Sequence, residues 1–165
     1  SYGGYATMAG LTKTPELYKC GINYVGVVDL PMLYRQWTEE YNIAGLRGGR
    51  QNWALVALGS PREDRQRFRD TSPINSIRDI QAPLFVIHGR LDYNVEIEQY
   101  QALVRQLRKH DKEFETMTER HQGHVFLPKA PVSSYTSGSR RFLPKTCSAG
   151  FSRPGTRAPN KLGPT

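Results

Sequence analysis

Three apolar runs and one amphipathic period mark out secondary structure in this chain. Pro83-Leu84-Phe85-Val86-Ile87-His88-Gly89 is short, β-branched and aromatic, and it closes on a glycine. That pattern suits a strand buried on both faces of a parallel sheet. Ile22-Asn23-Tyr24-Val25-Gly26-Val27-Val28 reads as a second buried strand, following a helix that begins after Tyr5 and ends near Lys19. From about Val95 to Lys109, Ile97, Tyr100, Leu103, Val104 and Leu107 recur at three- and four-residue spacing with charges between them. This spacing predicts a helix with one apolar face. Phe114 to Thr118 follows as a strand, and Arg62 to Asp70 as a solvated helix face.

Beyond residue 127 the periodicity stops and the charge balance changes. Residues 1–127 hold 16 Lys and Arg against 15 Asp and Glu, a net +1, whereas residues 128–165 hold 7 basic residues and no acidic ones. The second segment is rich in Pro, Ser, Gly and Thr, and it cannot bury enough apolar surface to offset the entropy of ordering. It is expected to be an unstructured basic tail, unrelated to the rest. Its charges are spread out rather than clustered, so nucleic acid is not the expected partner.

The chemistry lies at the ends of the predicted elements. Ser1-Tyr2-Gly3-Gly4-Tyr5 has the S-x-G half of the G-x-S-x-G turn, in which a serine projects from a tight strand-to-helix junction. Glycines serve there because side chains would collide with strand and helix. A serine in this setting needs a base to take its proton and a carboxylate to hold that base. Asp92 stands just past the Pro83–Gly89 strand, at the sheet edge where α/β folds bind ligands, and is the candidate acid. His124 stands past the Phe114–Thr118 strand beside Gly123 and is the candidate base. The order Ser, Asp, His is that of the α/β-hydrolases. His121 is the rival base. His88 is expected to make a structural hydrogen bond at a strand end, and His110 to close a helix, where positive charge suits the dipole.

These segments, together with Ser72-Pro73-Ile74-Asn75, Val95 and Phe126, resemble the prolyl oligopeptidase family of serine peptidases, in particular its acylaminoacyl-peptidase and dipeptidyl-peptidase-like members. The resemblance runs from Ser1 to about Phe126. It implies an α/β class, with residues 1–127 forming the carboxyl-terminal portion of an α/β-hydrolase catalytic domain: part of the parallel sheet with flanking helices. Ser1 would be the nucleophile, His124 the base and Asp92 its orienting acid, with the backbone N–H of Tyr2 as half of the oxyanion hole. The expected substrate is a peptide, hydrolysed through an acyl-enzyme. An esterase of the same fold and a truncated, non-catalytic fragment are the alternatives. The amino-terminal part of the domain and a gating propeller are expected to belong to the full-length protein. Val125 stands where the family carries a second glycine after the histidine.

The rest of the composition adds little. Two cysteines make no disulfide framework, so Cys20 is expected to be a small core residue and the setting reduced and cytoplasmic. No apolar run approaches 18 residues, and neither a membrane span nor a leader is expected. No spacing of Cys, His or carboxylates points to a metal, and no cofactor is expected. Trp37 and Trp53 are read as core residues before pocket residues, and Arg47-Gly48-Gly49-Arg50 lacks the spacing of a phosphate loop.

Overall fold

The computed structural model describes residues 1–39 and 56–126. The expectations for Trp53, for Arg47 to Arg50 and for the 128–165 tail lie outside the described residues. Among the described residues the main elements run α1 (Tyr2–Lys13), β1 (Gly21–Tyr24), α2 (Leu30–Glu39), α3 (Arg65–Thr71), β2 (Leu84–Gly89), α4 (Ile97–Lys109) and β3 (Phe114–Glu119). Short 3₁₀ turns at Pro15–Leu17 and Pro73–Asp79 complete them. The strands form one parallel sheet in the order β1-β2-β3, with Ile22 opposite Phe85 and Val86 opposite Thr116. This is a parallel α/β sheet with flanking helices, as expected.

β2 is the centre of the sheet, and all six of its residues are buried. Its side chains alternate between two cores, as the two-residue period of a strand requires. Leu84 and Val86 pack with Met8 and Leu11 of α1 and with Leu103 and Leu107 of α4. Phe85 and Ile87 face the other way and pack against Phe126. Leu103 and Leu107 are at most 1 % exposed, and each contributes roughly 1.5–3 kcal/mol by leaving water. A third cluster, Val27, Leu30, Leu33, Phe68 and Val95, forms beside the carboxyl ends of the strands.

Two boundaries differ from the expected ones. The first helix stops at Lys13 rather than near Lys19, because Pro15 cannot continue it and disfavours helical geometry at Thr14, which has φ −137° and ψ 58°. The strand expected from Ile22 to Val28 ends at Tyr24, because Val25 adopts φ 44° and turns the chain away. A β-branched residue pays roughly 1–2 kcal/mol for that conformation. The turn sends Gly26 against α1: a Cβ on Gly4 would stand 2.5 Å from the Gly26 Cα. A Cβ on Gly3, by contrast, would meet nothing within 4 Å among the described residues. The crowding expected of both glycines therefore falls on Gly4.

Cys20 also departs from expectation. It packs half-buried against the Phe85, Ile87 and Phe126 cluster, as a core residue should, but it is disulfide-bonded. It is not a free core thiol, and the ground for expecting a reduced setting is removed. Among the described residues no helix is long and apolar enough to cross a membrane.

Candidate active site

Ser1, Asp92 and His124 sit at element ends: Ser1 at the N-cap of α1, Asp92 just past β2, and His124 just past β3. In a parallel sheet the loops after neighbouring strands emerge on the same edge, so β2 and β3 bring Asp92 and His124 together. Backbone bonds from Arg90 N to Glu119 O and from Leu91 N to Gln122 O, both 2.9 Å, join the two loops. Gly89 lets them close: a Cβ there would stand 2.3 Å from the Gly123 carbonyl oxygen and 2.5 Å from that of Gln122.

The Asp92 side chain is fully buried. Its Oδ1 accepts from the backbone N–H groups of Asn94 and Val95, each at 2.9 Å. This local bonding is the habit of an aspartate in a turn. The Nδ1 of His124 lies 2.8 Å from Asp92 Oδ2 and 3.1 Å from Oδ1. A carboxylate oxygen accepts, so Nδ1 carries the proton and donates it, and Nε2 of the neutral ring keeps its lone pair. The imidazole is 20 % exposed, and His124 lines an open cavity of about 820 Å³. His121, the rival base, is exposed.

His88 lies beneath this pair. Its Nε2 donates to the Val95 carbonyl at 2.8 Å, the structural hydrogen bond expected of it, and lies 3.6 Å from Asp92 Oδ2. Burial lowers its pKa below the ordinary histidine value, against the opposing pull of the Val95 carbonyl and Asp92. The ring is therefore neutral near pH 7, and its contact with Asp92 is not an ion pair.

Ser1 and Tyr2 line the same cavity as His124. The Ser1 carbonyl accepts from Tyr5 N at 3.0 Å, whereas its hydroxyl makes no capping bond and is not hydrogen-bonded to His124. The structure thus joins Asp92 to His124 directly, and Ser1 to them only through the shared cavity. Tyr2 occupies the first helical position, where a backbone N–H has no acceptor within its own helix and the helix dipole is positive.

The cavity wall is mostly apolar: Tyr5, Val27, Leu30, Leu33, Trp37 and Val95 contribute to it. Trp37 packs half-buried against the Val27, Leu30, Leu33, Phe68 and Val95 cluster, as expected, and also lines this space, donating from Nε1 to the Asn94 carbonyl at 3.0 Å. Sequence reasoning missed the role of Val27, Leu30 and Leu33. Val27 was counted as strand, and the apolar spacing of Leu30, Leu33 and Trp37 on α2 was the available signal. A second cavity of about 690 Å³, beside Arg35, Ser60 and Arg62, contains none of the three predicted residues.

Comparison with known proteins bears on the fold and the family. The puromycin-hydrolysing peptidase of Mycobacterium tuberculosis superposes with a TM-score of 0.76 at 19 % identity, over 89 % of this chain and 21 % of that one. The acylaminoacyl peptidase of Pyrococcus horikoshii gives 0.71 at 23 % identity, over 88 % and 23 % respectively. In sequence, dipeptidyl aminopeptidase BIII of Pseudoxanthomonas mexicana is 26 % identical over 160 residues, which is 93 % of this chain but 22 % of that protein. The chain therefore spans about a fifth of the length of these relatives. Residues 1–145 match the prolyl oligopeptidase family, and the chain belongs to that family.

Proposed function

We propose that these residues carry the catalytic machinery of a serine peptidase that hydrolyses short peptides through an acyl-enzyme on Ser1. One observation carries the reading: a buried carboxylate holds His124 by Nδ1, and its ring shares a cavity with the Ser1 hydroxyl. Family membership supports it.

As the Ser1 oxygen attacks the substrate carbonyl carbon, its proton passes to His124 Nε2. Asp92 holds the ring in the required tautomer and stabilises the imidazolium that results. The carbonyl oxygen becomes an oxyanion, and the Tyr2 N–H at the positive end of α1 donates to it. The second donor of that pair comes from a segment outside these residues. Collapse of the intermediate breaks the C–N bond, and His124 returns the proton to the departing amine. Water then enters; His124 takes one of its protons, the hydroxide oxygen attacks the acyl carbon, and the proton returns to Ser1 as the acid product leaves. The lack of a hydrogen bond between the Ser1 hydroxyl and His124 suits a substrate-free site, whose catalytic hydrogen bonds tighten on binding. The apolar wall offers room for one apolar side chain next to the scissile bond.

Paired kinetics on a dipeptidyl amide and a matching aryl ester test the proposal. A peptidase turns over both, with a burst of alcohol from the ester, and loses both when His124 is replaced by Ala. Turnover of the ester alone makes the protein an esterase, and turnover of neither rejects catalysis by this site.

A further inference from the structure

One wall of the cavity is built from a segment that belongs to no strand. After Val25 turns the chain out of the sheet, residues 26–29 run to the start of α2 without a neighbouring strand among the described residues. Buried backbone groups still need partners, and here side chains supply them. The Oε1 of Gln99 accepts from Val28 N at 3.0 Å and from Asp29 N at 2.9 Å, and its Nε2 donates to Asp29 O at 2.8 Å. Ser72 Oγ accepts from Leu30 N at 3.0 Å and donates to Phe68 O at 2.6 Å. Ile74 N completes the set by donating to Val28 O at 3.0 Å. Gln99 is fully buried and Ser72 is 2 % exposed.

The residues flanking this clamp face the site. Val27 and Leu30 line the cavity with Ser1 and His124, and the clamp holds the peptide groups between them. Gln99 lies in the first turn of α4, directly after the loop that holds Asp92. One side chain thus ties the apolar wall to the helix that follows the loop carrying the candidate acid.

We propose that Gln99 and Ser72 are positioning residues for specificity: by fixing Val28 to Leu30 they set the depth of the apolar wall, and so the size of side chain accepted beside the scissile bond. This rests on the reading of Ser1 and His124 as the reacting pair. Val27 and Leu30 would drift by fractions of an ångström without the clamp, and apolar pockets discriminate on that scale.

Glutamate at position 99 makes the idea testable, because its protonation switches the clamp. A neutral carboxyl reproduces the amide: its carbonyl accepts from Val28 N and Asp29 N, and its O–H donates to Asp29 O. A carboxylate cannot donate, and it faces the Asp29 carbonyl unpaired. The experiment compares kcat/KM for two amide substrates that differ only in a large or small apolar residue at the cleaved bond. The comparison runs from about pH 5.5 to 9, a span that brackets carboxyl groups raised by burial. In the wild type the ratio is flat with pH, since any effect of pH common to the two substrates divides out. In Gln99→Glu it is close to native at the acid end and falls on the order of tenfold as pH rises. Ser72→Ala lowers the ratio a few-fold at every pH and serves if Gln99→Glu does not fold. Amide hydrogen exchange of the peptide covering residues 27–33, compared with wild type at the same pH, reads the clamp without catalysis. It should show faster exchange in Gln99→Glu only at the basic end. A flat, native ratio in both variants overturns the proposal, as does native exchange at all pH values. Absence of turnover in the wild type, with exchange behaving as described, rejects the catalytic reading and leaves the clamp standing.

Discussion

His124 donates its Nδ1 proton to Asp92 Oδ2 at 2.8 Å, across 32 residues of chain and one strand spacing of the sheet. The bond fixes the tautomer on which the proposed proton transfer depends. Asp92→Asn keeps an acceptor for the Asn94 and Val95 N–H groups, so the fold should survive. The ring would lose the partner that stabilises its charged form, and kcat should fall by about 10³–10⁴-fold. Steady-state kinetics beside a thermal melt check this. His121→Ala, at an exposed position, should change kcat by less than about twofold.

Gly89→Ala tests whether loop closure matters as the geometry requires. The added Cβ would strike two backbone carbonyl oxygens, those of Gly123 and Gln122, which cannot swing away as a side chain could. We expect a loss of roughly 1–3 kcal/mol in stability. Activity should fall further than the stability loss explains, because the displaced segment carries His124. Denaturant melts and kcat measured on the same preparation separate the two effects.

Burial of neutral His88 gives a sign for the pH dependence of stability. Its folded pKa lies below the ordinary value of 6.5, so between those two values the unfolded chain binds more protons than the folded one. Stability is complete above about pH 6.5 and declines as pH falls toward the folded pKa, by at most about 1.4 kcal/mol per pH unit. His88→Gln retains a donor for the Val95 carbonyl and should flatten that decline. Urea midpoints between about pH 5 and 7 measure it. An unchanged slope would mean that other groups set the acid limit.

Gly4 and Gly26 bring α1 onto the turn after β1. Gly4→Ala places a methyl 2.5 Å from the Gly26 Cα. The helix must move away or tilt, at a cost of roughly 1–3 kcal/mol, and Ser1 at its N-cap moves with it. A lowered melting temperature together with slower reaction at Ser1 is the expected pair of results.

Much of this was readable from apolar spacing. β2 announced itself as an unbroken apolar run because both of its faces are covered, and α4 as a period of three and four because one face is. The positions of Asp92 and His124 followed from their places just past strands. The failures share a cause: backbone geometry that no side-chain pattern reports. Val25 looks like a strand residue and is buried like one, yet its positive φ ends the strand. The disulfide at Cys20 could not be read from a count of two. Gln99 falls outside the apolar period of its helix, and its role shows only in the bonds it makes to the segment beside it, which has no strand partner among the described residues. Of Ser1 and Tyr2 the sequence conveyed the chemical type and the order, but not the distance to the base.

Reaction with a fluorophosphonate, followed by peptide mass spectrometry to locate the adduct, tests the central claim most directly. The account predicts a single adduct on Ser1, abolished by Ser1→Ala and slowed by at least about 10³-fold in His124→Ala. An adduct on another residue, or labelling of Ser1 at an undiminished rate without the His124 imidazole, would contradict it.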